Sequence, residues 1–156
     1  MTETVDLLRH ALATLAYRSG KAIRGAPETF ADFRANDSTR TPLQIVTHIG
    51  DLMEWSCYLA RGEKTWKEST PQSWDYEVKH FFDALQRLDH QLASQPLQCK
   101  PERLFQGPIA DALTHVGQIA ILRRIAGMPV RGENFYAAEI VAGRVGSEQT
   151  PPKREF

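Results

Sequence analysis

Apolar residues recur at spacings of three and four in four separate stretches of this chain, the period of a helix face rather than of a strand. Over residues 4–23, Val5, Leu8, Leu12 and Leu15 form one such stripe. Gly25, Pro27 and the polar run Arg34-Ala35-Asn36-Asp37-Ser38 then break the pattern, and Phe30 and Phe33 predict that this long connection packs down on the body. The second helix announces itself at Thr41-Pro42-Leu43-Gln44. Thr41 can cap the exposed amides, Pro42 suits the first helical position, and Gln44 completes a capping box. This helix runs to about Arg61, with Gly62 placed to end it. Its apolar arc holds Ile45, Val46, Ile49, Leu52, Met53, Ser56 and Leu59, and His48 stands at the margin in line with Leu52, Trp55 and Leu59.

The third stripe, over residues 74–93, carries Val78, Phe81, Phe82, Leu85, Leu88 and Leu92. After Pro96, Pro101 and the Gly107-Pro108 pair, a fourth helix spans 108–127 and is apolar on nearly every side apart from Arg123 and Arg124. Such a helix is expected inside the protein. Beyond Pro129 the chain turns polar, with a short helical piece over 135–141 inside a tail of about residues 128–156. These elements predict an all-α fold, a single domain over residues 1–156 built as a four-helix bundle, with a first loop long enough for a crossover connection.

The fourth helix carries the candidate chemistry. Asp111 and His115 are one turn apart and project from one face, and their line continues through Gln118 to Leu122 and Ile125, which predicts an inward orientation. Burying polar groups unpaired costs on the order of 1–3 kcal/mol each, so they need partners. With His48 on an inward margin of the second helix, Asp111 and His115 supply three ligands suited to zinc, nickel or ferrous iron. Three protein ligands leave coordination positions open, as catalytic sites do. Gln118 is either a partner behind the ligands or a helix-packing hydrogen bond, and Trp55 either lines a pocket near His48 or packs in the core. The competing reading is a metal-free bundle, a binding or stress-response interaction module in which Asp111 and His115 satisfy each other.

Periodicity sets the other histidines aside. His10 is expected to face water, and His80 and His90 lie off the third stripe. Glu77-x-x-His80 is a lone match to a motif that di-iron bundles use twice. Asp51 is expected to be a solvated acid and Glu54 a surface residue. Phe135 and Tyr136 in the tail either wall a cleft or cover apolar surface.

Composition narrows the function classes. Nineteen Lys plus Arg balance nineteen Asp plus Glu, which leaves no electrostatic footprint for nucleic acid or an anionic membrane. No apolar run approaches the ~20 residues of a membrane span and no leader pattern opens the chain, so a cytoplasmic location is the expectation. Cys57 and Cys99 are too few for a disulfide framework, and neither stands near an activating base in the helical register. No Gly-x-Ser-x-Gly elbow is present. A small-molecule substrate is the partner expected.

Asp111-Ala112-Leu113-Thr114-His115-Val116-Gly117-Gln118-Ile119, with Leu122-Arg123-Arg124 and Gly127, resembles the last bundle helix of the DinB/YfiT-like superfamily of metalloenzymes. Its signature there is His-x-x-x-His-Arg-Gly-Gln. The segment Thr41 to Ile49 resembles the second helix of that family, which supplies the remaining ligand. The resemblance implies a four-helix bundle with a crossover, a divalent metal held by three side chains near one end, and a homodimer as a common state. His48 and His115 match ligand positions, and Gln118 matches the signature glutamine. Asp111 stands where the signature has histidine, although relatives resembling thiol-dependent isomerases place a glutamate there, and Val116 replaces the arginine. The activities implied are transfer or isomerisation with a low-molecular-weight thiol, or metal-assisted hydrolysis.

Overall fold

The four predicted stretches form long helices in the computed structural model, which describes residues 2–156. α1 spans Glu3–Ile23, α2 Pro42–Ala60, α3 Trp74–Ser94 and α5 Ala110–Ile125, with a single turn, α4, at Pro101–Leu104. Among the described residues there is no strand, only one isolated antiparallel bridge between Glu133 and Glu155.

Local chemistry fixes the helix ends. Thr2 and Ser73 accept hydrogen bonds from the amides of Val5 and Tyr76, and Thr41 and Gln44 form the reciprocal capping box. At the other end of α2, Gly62 adopts φ +81°, a conformation costly for any residue with a Cβ. α2 packs most extensively on α3, α1 packs on both α3 and α5, and α2 also meets α5. The stripes converge on one core in which Leu12, Leu15, Ile49, Met53, Phe81, Leu85, Leu88 and Ile119 are fully buried. The first connection contributes to it. A short 3-10 helix, Glu28–Asp32, buries Phe30 against Phe33 and Trp74.

Two expectations about the fourth helix are corrected. It starts at Pro101, not Pro108, because proline is as well accommodated at a first helical position there as Pro42 is in α2. The Gly107-Pro108 pair is absorbed by a wide turn over Phe105–Ile109, where Gly107 leaves helical geometry (φ −88°, ψ −105°) and α5 restarts in a new register. The second correction concerns burial. Val116, Ile119 and Leu122 are buried, but Ile121 and Ile125 are 49% and 56% exposed, so α5 has an open side.

Arg123, which the apolar pattern singled out only as an exception, is buried and holds two helix ends together. Its guanidinium donates to the carbonyls of Ala22 and Arg24 at the end of α1 and to Met128 just beyond α5. A cation is well placed at the negative end of a helix. Beyond α5 the chain is largely irregular, with one 3-10 turn at Phe135–Ala137, shorter than the predicted piece. This segment is tied to α1: the Tyr17 hydroxyl donates to Glu133 at 2.5 Å, and Lys21 pairs with both Glu133 and Glu155. Arg18 stacks over Phe135, 4.0 Å from the ring centroid, so Phe135 covers α1, while Tyr136 is wholly exposed. No described helix is long and apolar enough to cross a membrane.

Candidate metal centre

His48 lies in the second turn of α2, in a register set by the capping box at Thr41. Asp111 lies in the first turn of α5, directly after the wide turn, and His115 follows one turn later. Packing of α2 on α5 brings the three together. One ligand atom from each lies within 4.8 Å of the others. The Asp111 carboxylate divides its oxygens between the histidines, with Oδ1 3.4 Å from His115 Nε2 and Oδ2 3.6 Å from His48 Nε2. The two imidazoles meet nearly edge to face, their centroids 4.8 Å apart.

These separations discriminate between direct bonding and shared coordination. Both nitrogen–oxygen distances exceed the ~2.7–3.2 Å of a formed N–H···O bond. Metal–ligand bonds of about 2.0–2.2 Å at tetrahedral angles place neighbouring ligand atoms about 3.3–3.6 Å apart. Each histidine has one carboxylate oxygen at such a distance, and one ligand atom from each of the three residues fits within 4.8 Å, so modest side-chain adjustment would bring them onto one ion. Two imidazoles and one carboxylate are also the donor set that zinc, nickel and ferrous iron accept. The residues therefore fit a single divalent ion.

Gln118 completes the case from behind. Its Oε1 stands 2.7 Å from His115 Nδ1, an arrangement that makes Nδ1 the protonated nitrogen and leaves the Nε2 lone pair facing Asp111. Gln118 thus contacts the candidate ligand His115 from the side away from Asp111. Burial also lowers the pKa of His48, an effect to which nearby Arg40 adds and which Asp111 opposes, so its neutral, ligating form is favoured.

The site is not the buried line predicted. The side chains of His115 and His48 are 12% and 24% exposed, and that of Asp111 is 47% exposed. Two grooves reach it. A polar one of about 200 Å³ approaches His48 past Arg40, Gln44 and Glu68, and a larger one of about 630 Å³ approaches His115 past Gln118, Ile121 and Ile125.

Trp55 is linked to His48 through a ring of the following loop. It packs edge to face on Trp66, at 5.7 Å between centroids, and Trp66 in turn meets His48 at 6.1 Å. Asp51 is what holds that loop in place. It is buried, not solvated, and its carboxylate accepts from the amide and hydroxyl of Ser69 at 2.9 and 2.6 Å. Trp66, Ser69 and Arg40 all escaped the periodic reading because they lie in loops; the one available signal was a tryptophan in an otherwise polar run.

The remaining candidates lie elsewhere. His10 and His90 are exposed. Glu54, expected at the surface, is half-buried and pairs with Arg87 and with His80, whose other nitrogen faces buried Glu77 at 3.7 Å. Gly50 leaves the room that the His80 ring occupies, since a Cβ there would stand 3.1 Å from Nδ1. This cluster ties α2 to α3. Because its two carboxylates address opposite nitrogens of one imidazole, they do not converge on a common point. Cys57 and Cys99 are free thiols, and burial pushes Cys57 up to about 11, the wrong direction for a nucleophile. The chain matches no protein-family model, no curated protein and no solved structure.

Proposed function

We propose that this chain is a mononuclear divalent-metal enzyme, a four-helix bundle of the DinB/YfiT-like superfamily with His48, Asp111 and His115 as the ligands. One observation carries the reading: one potential ligand atom from each of His48, Asp111 and His115 lies within 4.8 Å of the others, on two packed helices, and a groove opens at each histidine. Residues 128–156 serve as a cover held to α1 through Glu133 and Glu155.

A divalent ion bound here supplies Lewis acidity, lowering the pKa of a coordinated water or thiol into the neutral range. The protein's own groups do the rest. Gln118 keeps the His115 ring in one tautomer and orientation. Trp66, backed by Trp55, shields the His48 edge from water, and the larger groove admits the substrate beside His115. The resemblance favours thiol-dependent transfer or isomerisation over hydrolysis, with the small polar groove beside His48 as the entry for the thiol.

Metal analysis of untagged protein tests the centre. About one equivalent of zinc, nickel or iron in the wild type, lost in His115→Ala, is the expected result. Substoichiometric metal that the substitution leaves unchanged would instead favour the metal-free interaction module. Turnover of an electrophilic substrate with and without added low-molecular-weight thiol then separates transfer from hydrolysis.

A further inference from the structure

The larger groove has a chemical character of its own. One wall is apolar, formed by Ile45, Ile121, Leu122 and Ile125, and the opposite rim is polar, formed by Asn36, Ser38 and Thr39. Its volume of about 630 Å³ falls within the ~300–1,000 Å³ of small-molecule sites. Arg40 is the one lining residue with a permanent charge, and it lines the smaller groove as well.

Arg40 is held by its backbone and uncommitted at its head. On one side Asn36 braces the turn, accepting from the amide and hydroxyl of Ser38, and Arg34 donates to the carbonyl of Thr39. On the other side Thr41 is locked in the capping box. Among the described residues no carboxylate or carbonyl pairs with the guanidinium of Arg40, an exposed residue that lines both grooves, so its donors are open to an incoming anion. A planar fork of donors, fixed at its base beside an apolar wall, is suited to a carboxylate or another oxyanion.

We propose that this groove binds small amphipathic monoanions, the anionic group pairing with Arg40 and the apolar body lying along Ile121, Leu122 and Ile125. The proposal rests on the metal reading only in placing the reacting end of such a molecule next to His115. A dianion would find one permanent cation where it needs two, and a cation would meet Arg40 as a like charge.

Calorimetric titration with hexanoate, and with hexylamine as a cation of equal length, tests this on zinc-free and zinc-loaded protein. Zinc binding itself is measured first. Wild-type protein should take up hexanoate at millimolar concentrations and hexylamine not at all, and Arg40→Gln should weaken hexanoate by roughly tenfold, as loss of a charge-assisted hydrogen bond does. Ile125→Asp, at an exposed position, should weaken it likewise. Equal hexanoate binding by wild type and Arg40→Gln, hexylamine binding as tight as hexanoate, or no heat with hexanoate would each overturn the proposal. Arg40-dependent hexanoate binding by a protein that takes up no zinc would uphold the anion groove and overturn the metal centre alone.

Discussion

Gln118→Leu separates the ligand's support from the ligand itself. The substitution removes the acceptor 2.7 Å from His115 Nδ1, the only side-chain partner that nitrogen has among the described residues, and leaves His48, Asp111 and His115 in place. Loss of such an outer partner costs about 10–100-fold in metal affinity, or about 1.4–2.8 kcal/mol. Gln118 is exposed, so the stability of metal-free protein should change by no more than about 0.5 kcal/mol. Competition against a chromophoric chelator reads the affinity directly. Thermal melting gives an independent reading, since an ion present at 100 times its Kd stabilises the wild type by about 2.7 kcal/mol and a tenfold weaker variant by only about 1.4 kcal/mol. For a chain of this size the difference is about 3–5 °C in Tm. In a His115→Ala background Gln118→Leu should do nothing further. A metal affinity within twofold of wild type, or an equal loss in both backgrounds, would refute the role given to Gln118.

Arg123→Met should lower stability by about 2–3 kcal/mol, because it strips a charged donor from three carbonyls at two helix ends; urea unfolding without metal measures it, and a loss below about 1 kcal/mol would contradict the assignment. The links from Tyr17 and Lys21 to the C-terminal segment should weaken in alkali. Burial and the Glu133 hydrogen bond raise the Tyr17 pKa, and the carboxylates of Glu155 and Glu133 raise that of Lys21 against the opposing effect of burial, so both contributions are complete below pH 10 and fade as pH rises beyond it. A urea midpoint that falls between about pH 10 and 12, and falls less in Tyr17→Phe, is the expected outcome; a flat midpoint would exclude it. Asp51→Ala should release the loop around Ser69, seen as faster exchange of the Ser69 amide, whose acceptor the substitution removes; an unchanged exchange rate would refute the anchoring role.

Helix boundaries were legible where a residue forces the backbone. Thr41 with Gln44, Gly62 and Gly127 each mark an end that the structure keeps, because capping and positive φ are decided by a few neighbouring residues. The start of the fourth helix was ambiguous for the same reason: Pro101 and Pro108 are both acceptable first residues, and only packing of Leu104 and Ile109 into the core decides that the chain is already helical before Gly107. Burial was the harder inference. Periodicity states which residues share a face, not what lies against it, and on α5 Ile121 and Ile125 are left about half exposed.

The same distinction runs through the site. Its three candidate ligands could be found in the sequence because they stand on helices, where a fixed rise and rotation turn spacing into geometry. Asp111 was the doubtful member, being shorter than the glutamate of the relatives it resembles, yet the restart of α5 after Gly107-Pro108 sets its carboxylate beside both Nε2 atoms. Trp66, Ser69 and Arg40 could not be found, since loops have no period and their positions follow from side-chain contacts such as that of Ser69 with Asp51 and of Arg34 with the Thr39 carbonyl. This division has a functional consequence. The candidate ligands stand on α2 and α5, whereas the groove's charge depends on a loop residue outside both helices. Exchanging Arg40 should therefore alter which small molecules bind while leaving zinc affinity within about threefold, the modest effect expected of an exposed charge. If zinc affinity and anion binding fall together in Arg40→Gln, the ion and the groove are one coupled unit, and the loop must be counted among the parts that build the centre.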